Sequence, residues 1–166
     1  VDLCQAYMDT GKVEALMVVY SILRQANLPV IEDAKSRGIG IIVRTVLESG
    51  LLTGAYSVGH TFPETDHRSR YDRTKLDYVL KANDELNGFA VQPPYTSLAQ
   101  AAFRFSLTAS GLSSIIMGVQ NTNEIKLNLD TLALPPLSDE VVSEIKERYG
   151  KLTDMANFDS ESGFAR

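Results

Sequence analysis

Residues 38–54 of the chain read GIGIIVRTVLESGLLTG, a short apolar run followed by a glycine-rich turn. The run at 39–43 is rich in β-branched residues and is typical of a strand buried on both faces. Gly50 and Gly54 in the turn allow backbone conformations that other residues adopt only at a cost. A buried strand of this kind predicts a parallel sheet whose strands are connected through helices.

The surrounding segments repeat the alternation of strand and helix. A second buried strand is predicted at 14–20, and a helix at 28–37 connects it to residues 39–43. A third strand is predicted at 113–117. Further helices are predicted at 2–10, 71–86, 97–107, 121–134 and 138–149. This order indicates an α/β protein, either a small doubly wound sheet or part of a (β/α)8 barrel, which takes about 250 residues.

The composition limits the classes of function. The 166 residues include 44% hydrophobic and 22% charged residues with a formal net charge of −5, as in an ordinary soluble domain. No basic cluster indicates a nucleic-acid or anionic-membrane partner, and no apolar stretch approaches the roughly 18 residues of a membrane span. No signal peptide is recognisable, so a cytoplasmic location is predicted.

Metal and disulfide chemistry are also disfavoured. Cys4 is the only cysteine, which excludes an internal disulfide and a cysteine zinc site. His60 and His67 lie in one polar stretch without the spacing of a helical metal-ligand pair. They are predicted to be solvated loop residues, and no metal site is assigned.

Four segments resemble the aldo/keto reductase family, and they occur in that family's order. The first, VVYSIL at 18–23, is similar to the motif of the sixth strand. The second, 38–54, resembles the seventh strand and its Gly-Leu-Leu-Thr-Gly loop. The third is SLAQAAFRF at 97–105, similar to a family helix. The fourth joins SIIMG at 114–118 to EIKLNL at 124–129, similar to the eighth strand and the helix that binds the cofactor.

The resemblance implies a partial (β/α)8 TIM barrel with about three parallel strands, numbers six to eight. Residues 1–166 would be the C-terminal half of this single barrel, with 157–166 as a frayed tail. A chain that opens at Val1 within a predicted helix is expected to be a truncated fragment. It would need the missing N-terminal half-barrel or self-association, because a lone half-barrel exposes strand edges and apolar surface.

The resemblance also implies an activity. Members of the family reduce aldehydes or ketones to alcohols with NAD(P)H, and an Asp, a Tyr, a Lys and a His on the first four strands carry the catalysis. No catalytic residue is therefore assigned to this chain, and the isolated fragment is expected to be inactive. Tyr20 on a late strand and Lys35 on an outer helix are not substitutes.

Most of the surface for the cofactor, NADP or NAD, would lie on this chain. The loop after residues 39–43 would lie across the diphosphate, and the helix that begins near Asn121 would favour a phosphate on the adenosine ribose. The residues that the resemblance implies are Arg44, Thr45, Leu47, Gly50, Leu51, Thr53, Gly54, Gly118, Gln120, Asn121, Glu124 and Asn128.

Some positions depart from the family pattern. Arg44 stands in place of an aromatic residue that stacks on the nicotinamide and is a tolerated change, since its planar side chain can also stack. Met17 replaces a glutamine that binds the carboxamide and cannot make that bond. Glu124 stands where NADPH-selective members carry a base, so it would repel a 2′-phosphate. Leu127 replaces a glutamate, whereas Asn128 matches the asparagine that contacts the adenine.

Two alternatives to a carbonyl reductase remain open. Met17 and Leu127 favour a non-catalytic nucleotide-binding or subunit-interaction module, and the chain could also be a remnant without a function of its own. Arg68, Arg70 and Arg73 are predicted to form a solvated face, with a loop that closes over the cofactor as the other interpretation.

Overall fold

The computed structural model describes residues 1–150, and the predicted frayed tail at 157–166 lies outside them. The strands in this range are β1 (Ala15–Val19), β2 (Gly40–Arg44) and β3 (Leu112–Ile115), which pair in that order. The α-helices are α1 (Asp2–Asp9), α2 (Leu28–Ser36), α3 (Arg73–Phe89), α4 (Leu98–Ser106), α5 (Thr122–Ala133) and α6 (Asp139–Tyr149). Short 3₁₀ helices lie at Leu51–Thr53 and His67–Arg70.

All strand pairing in the sheet is parallel, as predicted from the alternation of strands and helices. The register between β2 and β3 shifts, because Ile41 pairs with Leu112 and Ile42 pairs with Ser114. Ser113 compensates for the shift, since its Oγ accepts a hydrogen bond from Ile41 N at 3.0 Å. The carboxyl ends of the three strands therefore lie along one edge of the sheet.

Within residues 1–150, helices cover one face of the sheet. Val18, Ile41 and Val43 are buried in the core with them. The opposite face is open, and Met17 on that face is 55% exposed. The prediction that the strand at 14–20 is buried on both faces is wrong, because the described helices pack on one side only.

Side-chain caps confirm the predicted starts of two helices. Ser97 Oγ accepts a hydrogen bond from Gln100 N at 3.3 Å at the start of α4. Ser138 Oγ accepts one from Val141 N at 3.3 Å at the start of α6. Because a cap satisfies an amide that the first helical turn leaves unpaired, each of these polar residues fixes where its helix begins.

Helix α3 is longer at its C-terminus than predicted. It begins after Asp72, whose Oδ1 accepts a hydrogen bond from Lys75 N at 3.0 Å, and it continues to Phe89 instead of ending near residue 86. The predicted buried side is confirmed for Leu76, Val79, Leu80 and Leu86. This helix packs against the segment that follows β2 and so supports that segment.

Helix α5 is exposed over much of its surface. Ile125, Leu127, Leu129 and Leu132 are between 46% and 60% exposed. Ile125, Leu129 and Leu132 recur at helical spacing, so they form an apolar stripe on one side of the helix. Among the helices in residues 1–150, none combines the length and the apolar composition that a membrane crossing requires.

Candidate functional site

The loop after β2, residues 45–54, begins at the edge of the sheet where the three strands end. Its backbone is left-handed at Thr45 (φ 65°), Glu48 (φ 46°), Ser49 (φ 57°) and Gly50 (φ 84°). A β-branched residue such as Thr45 rarely adopts this conformation. Strained backbone of this kind persists only where the surrounding structure holds it, and it concentrates at functional sites. The loop is therefore a candidate site on its geometry alone.

The turn leaves several of its amide groups open. Glu48 N donates a hydrogen bond to Thr45 O at 3.0 Å. The amide groups of Leu47, Ser49 and Gly50 have no hydrogen-bond acceptor among residues 1–150. Successive amides that a turn leaves without partners form a binding surface for anions. The predicted positions Leu47 and Gly50 thus contribute through their backbone.

The second half of the loop is packed into the protein. Leu51 and Leu52 are fully buried, and Asn83 of α3 donates from Nδ2 to Leu51 O at 2.7 Å. Thr53 Oγ1 donates to Gly50 O at 2.7 Å, so its proton is engaged within the turn. Residues 51–54 therefore hold the open half of the loop in place.

Arg68 lies against this loop. Its Nη1 donates to Ser49 O at 3.2 Å, and a Cβ added to Gly50 would lie 3.4 Å from the same nitrogen. Asp66 accepts hydrogen bonds from Arg68 Nε at 3.0 Å and Nη2 at 2.7 Å. These bonds lower the pKa of Asp66 to about 2. The prediction that Arg68 belongs to a solvated face is wrong, whereas Arg70 is exposed.

Two aromatic rings pack against the guanidinium of Arg68. It lies 5.0 Å from the ring centroid of Tyr56 and 4.2 Å from that of Phe62. His60 packs against both rings, with centroid distances of 4.7 Å to each. Cation–π attraction and the ion pair with Asp66 together restrict the guanidinium to this position. In the sequence, the signal was an acidic residue two positions before an arginine, in a segment containing aromatic residues.

The N-terminus of α5 follows β3, the strand next to β2. Asn121 Oδ1 accepts a hydrogen bond from Glu124 N at 3.1 Å, which confirms the predicted cap. The carboxylate of Glu124 reaches back and accepts hydrogen bonds from Gln120 N at 2.8 Å and Asn121 Nδ2 at 3.0 Å. Donors that could bind a phosphate here are therefore already bonded to a carboxylate. Asn128 lies one turn further along the helix and is half-buried.

The remaining predicted positions lie on or just beyond the strand ends. Arg44 is exposed at the end of β2, and its Nη1 donates to Thr45 Oγ1 at 3.1 Å. Gly118 follows β3, and a Cβ added there would meet nothing within 4 Å. Met17 pairs in register with Ile42 on the open face. The structure thus brings residues 44–54, Arg68 and the start of α5 to one edge of the sheet.

Sequence reasoning missed a buried ionic group beneath this edge. Glu48 is 1% exposed, and its Oε1 accepts a hydrogen bond from Ser21 Oγ. Its Oε2 accepts hydrogen bonds from Arg24 Nε at 2.9 Å and Nη2 at 2.8 Å. The signal was the charge of Glu48 within an otherwise apolar and glycine-rich stretch. Among the described residues, no cluster of three or more His, Cys, Asp or Glu side chains could hold a metal ion.

A parallel sheet with helices on one face and loops gathered at its carboxyl edge is the arrangement found in part of a (β/α)8 barrel. The chain is similar to a glycerol dehydrogenase from Gluconobacter oxydans, with a TM-score of 0.72, 19% identity, and coverage of 89% of this chain and 46% of that one. It is also similar to the holo form of an aldo-keto reductase from Bacillus halodurans, with a TM-score of 0.64, 18% identity, and coverage of 92% and 46%. These likenesses support the fold.

The model of the aldo/keto reductase family matches residues 2–149, and the chain belongs to that family. A relative from Oryza sativa subsp. japonica, named a probable voltage-gated potassium channel subunit beta, is 30% identical over 115 residues, which are 66% of this chain and 35% of the relative. An Arabidopsis thaliana protein of the same name is 29% identical over 112 residues, 64% and 34% respectively. The chain spans about a third of these relatives and about half of the structural neighbours. The predicted family and fold class are confirmed.

Proposed function

We propose that the chain is the cofactor-binding half of an NAD(P)H-dependent oxidoreductase that reduces aldehydes or ketones to alcohols. Family membership supports an oxidoreductase role in general. One observation carries the proposal further. The left-handed loop after β2 has open amide groups, and the guanidinium of Arg68 is held beside them. Backbone amide donors and a guanidinium held beside them are groups that bind a diphosphate.

The residues present fit a nicotinamide dinucleotide at two places. The amides of Leu47, Ser49 and Gly50, with Arg68, would hold the diphosphate. At the start of α5, the carboxylate of Glu124 is bonded to the nearby donors. This carboxylate can accept hydrogen bonds from a ribose diol, and it would repel a ribose phosphate. NADH is therefore the proposed cofactor in preference to NADPH. When bound, the cofactor supplies hydride from its nicotinamide ring, and this half of the barrel binds and orients it.

The proton donor is proposed to lie in an N-terminal half-barrel that would also cover the open face of the sheet. Tyr20 is unsuited to the role, because it is fully buried and stacked on Phe105 with ring centroids 5.9 Å apart. Burial raises the pKa of Tyr20 to about 12. Lys35 donates from Nζ to Ser110 Oγ at 2.6 Å. Ser110 precedes β3, so this contact lies at the opposite edge of the sheet from the loop.

A second candidate is a non-catalytic nucleotide-binding subunit. The names of the curated relatives favour it, because both are named probable voltage-gated potassium channel subunit beta. The apolar stripe of α5 is also exposed within the described part of the chain. Under this proposal the dinucleotide would be held without turnover.

The test uses the complete natural protein that contains residues 1–166, expressed from its full reading frame. Binding of NADH and NADPH is measured by calorimetry, and oxidation of each is followed with a panel of aldehydes and ketones. The proposal expects saturable binding and carbonyl-dependent oxidation. Binding without oxidation on any carbonyl would support the non-catalytic subunit, and absence of dinucleotide binding would refute both proposals.

A further inference from the structure

The strained loop after β2 is attached to the protein interior by one of its own side chains. Glu48 lies between the left-handed residues Thr45 and Ser49 and is itself left-handed, yet its carboxylate is buried. A buried carboxylate is costly unless it is paired and hydrogen-bonded. Here Ser21 Oγ and two nitrogens of Arg24 satisfy it, and Arg24 is only 8% exposed.

The segment that holds Glu48 is itself fixed. Ser21 N donates to Arg24 O at 3.3 Å, and Arg24 N donates to Ser21 O at 3.2 Å. Tyr20 N donates to Arg44 O at 3.4 Å, which ties this segment to the end of β2. Asn27 adds a hydrogen bond from Nδ2 to Val19 O at 2.9 Å. The carboxylate of Glu48 is therefore anchored to a hydrogen-bonded turn between β1 and α2.

We propose that Glu48 is a positioning residue, which Ser21 and Arg24 lock in place so that the loop presents its open amides to the cofactor. The ion pair holds the backbone at 45–50 in a conformation that the loop sequence alone disfavours. The positive charge of Arg24 is neutralised by Glu48, so the loop amides, beside the guanidinium of Arg68 that Asp66 holds in place, are left to bind the anion. This inference rests on the proposed dinucleotide function.

Four variants of the complete natural protein separate positioning from stability. Glu48→Gln breaks the ion pair, and the double variant Arg24→Met with Glu48→Leu replaces it by apolar contact. Removing both members of a buried ion pair commonly restores the stability that a single removal loses. Ser21→Ala removes one hydrogen bond. Tyr149→Phe is the control, since it removes only the hydrogen bond to Glu85, of 3.0 Å, between α6 and α3.

Three properties of each variant are measured: the melting temperature, the Kd for NADH, and hydrogen exchange of amides 45–50 without cofactor. The double variant is expected to melt close to the parent. Its Kd should be at least about tenfold higher and its loop exchange about tenfold faster, because 1.4 kcal/mol of preorganisation corresponds to a factor of ten. Ser21→Ala should raise the Kd about threefold, and Tyr149→Phe should leave Kd and loop exchange unchanged.

A double variant that binds NADH within twofold of the parent and keeps its loop exchange would overturn the inference, since the ion pair would then serve stability alone. If the double variant does not fold, Ser21→Ala decides by the same two measurements, and parental values in both would overturn it. A parent that binds neither NADH nor NADPH would refute the proposed function. In that case faster exchange in the variants would still show that the carboxylate of Glu48 holds the loop.

Discussion

The carboxylate of Glu124 offers a direct test of cofactor preference. It accepts hydrogen bonds from Gln120 N and Asn121 Nδ2 at 2.8 and 3.0 Å. A 2′-phosphate that shared these donors would lie within about 6 Å of it. Two unit charges at about 6 Å repel by roughly 0.7 kcal/mol in water and about 3 kcal/mol at an effective dielectric constant near 20. Because a phosphate carries more than one negative charge, discrimination against NADPH should be at least about tenfold.

Glu124→Gln removes this charge and keeps an oxygen that can accept one of the two hydrogen bonds. The ratio of Kd for NADPH to Kd for NADH should fall at least about fivefold, with a loss of helix capping below about 1 kcal/mol. The control is Glu144→Gln on α6, the same change of charge at the partner of Arg148. Titration calorimetry of the complete natural protein with each dinucleotide measures the ratio. An unchanged ratio in Glu124→Gln would refute the assignment of selectivity to this carboxylate.

Three further predictions concern the loop, its guanidinium and the open surfaces. Gly50→Ala should lower the free energy of unfolding, measured in urea, by about 1–2 kcal/mol, because φ at Gly50 is 84°. It should also weaken NADH binding, because the new Cβ would lie 3.4 Å from Arg68 Nη1. Because the pKa of Asp66 is lowered from 3.8 to about 2, its ion pair stabilises the fold above about pH 4 and is lost as the pH falls towards 2. The urea midpoint of Asp66→Asn should therefore lie below that of the parent at pH 7 and converge with it in acid. Sedimentation of the 166-residue chain should show species larger than an 18.2 kDa monomer. Met17→Glu and Leu129→Lys should each lower the fraction of these larger species. A monomeric parent would contradict the prediction.

Local patterns were enough to predict most of the secondary structure. The strand at 39–43 and the caps at Ser97, Asn121 and Ser138 depend on a few neighbouring residues, and the structure has them where the sequence indicated. The end of α3 was missed by three residues, because Asn87 and Gly88 are typical of a helix end and the helix nevertheless continues through them to Phe89. Helix ends depend on weak local preferences and are the least predictable feature of an element.

The errors in burial have a different origin. Met17 lies in an apolar run that is typical of a strand covered on both sides, but its exposure depends on what packs against the open face. The burial of Arg68 depends on Asp66 and on two rings within a loop that has no periodicity. Such contacts are set by tertiary structure, and hydrophobic pattern carries no signal for them.

The candidate site was predicted only in part. The resemblance indicated twelve positions within 44–54 and 118–128, Glu48 not among them, and the structure brings most of these positions to one edge of the sheet. It gave no indication of Glu48, because the burial of a charged side chain depends on a partner 24 residues away. Binding of a dinucleotide by these positions stays a prediction.

Glu48 and Glu124, two of the carboxylates at this edge, have opposite consequences for an anion. Glu48 is neutralised within the protein by Arg24, so the loop that carries it can present open amides beside the guanidinium of Arg68, which is itself paired with Asp66. Glu124 instead bonds the donors at the start of α5 and keeps its charge at the surface. Electrostatic attraction for a bound dinucleotide should therefore come from its diphosphate at the β2 loop. Under the proposed function, the adenosine ribose would contribute selectivity at α5, by exclusion of a phosphate.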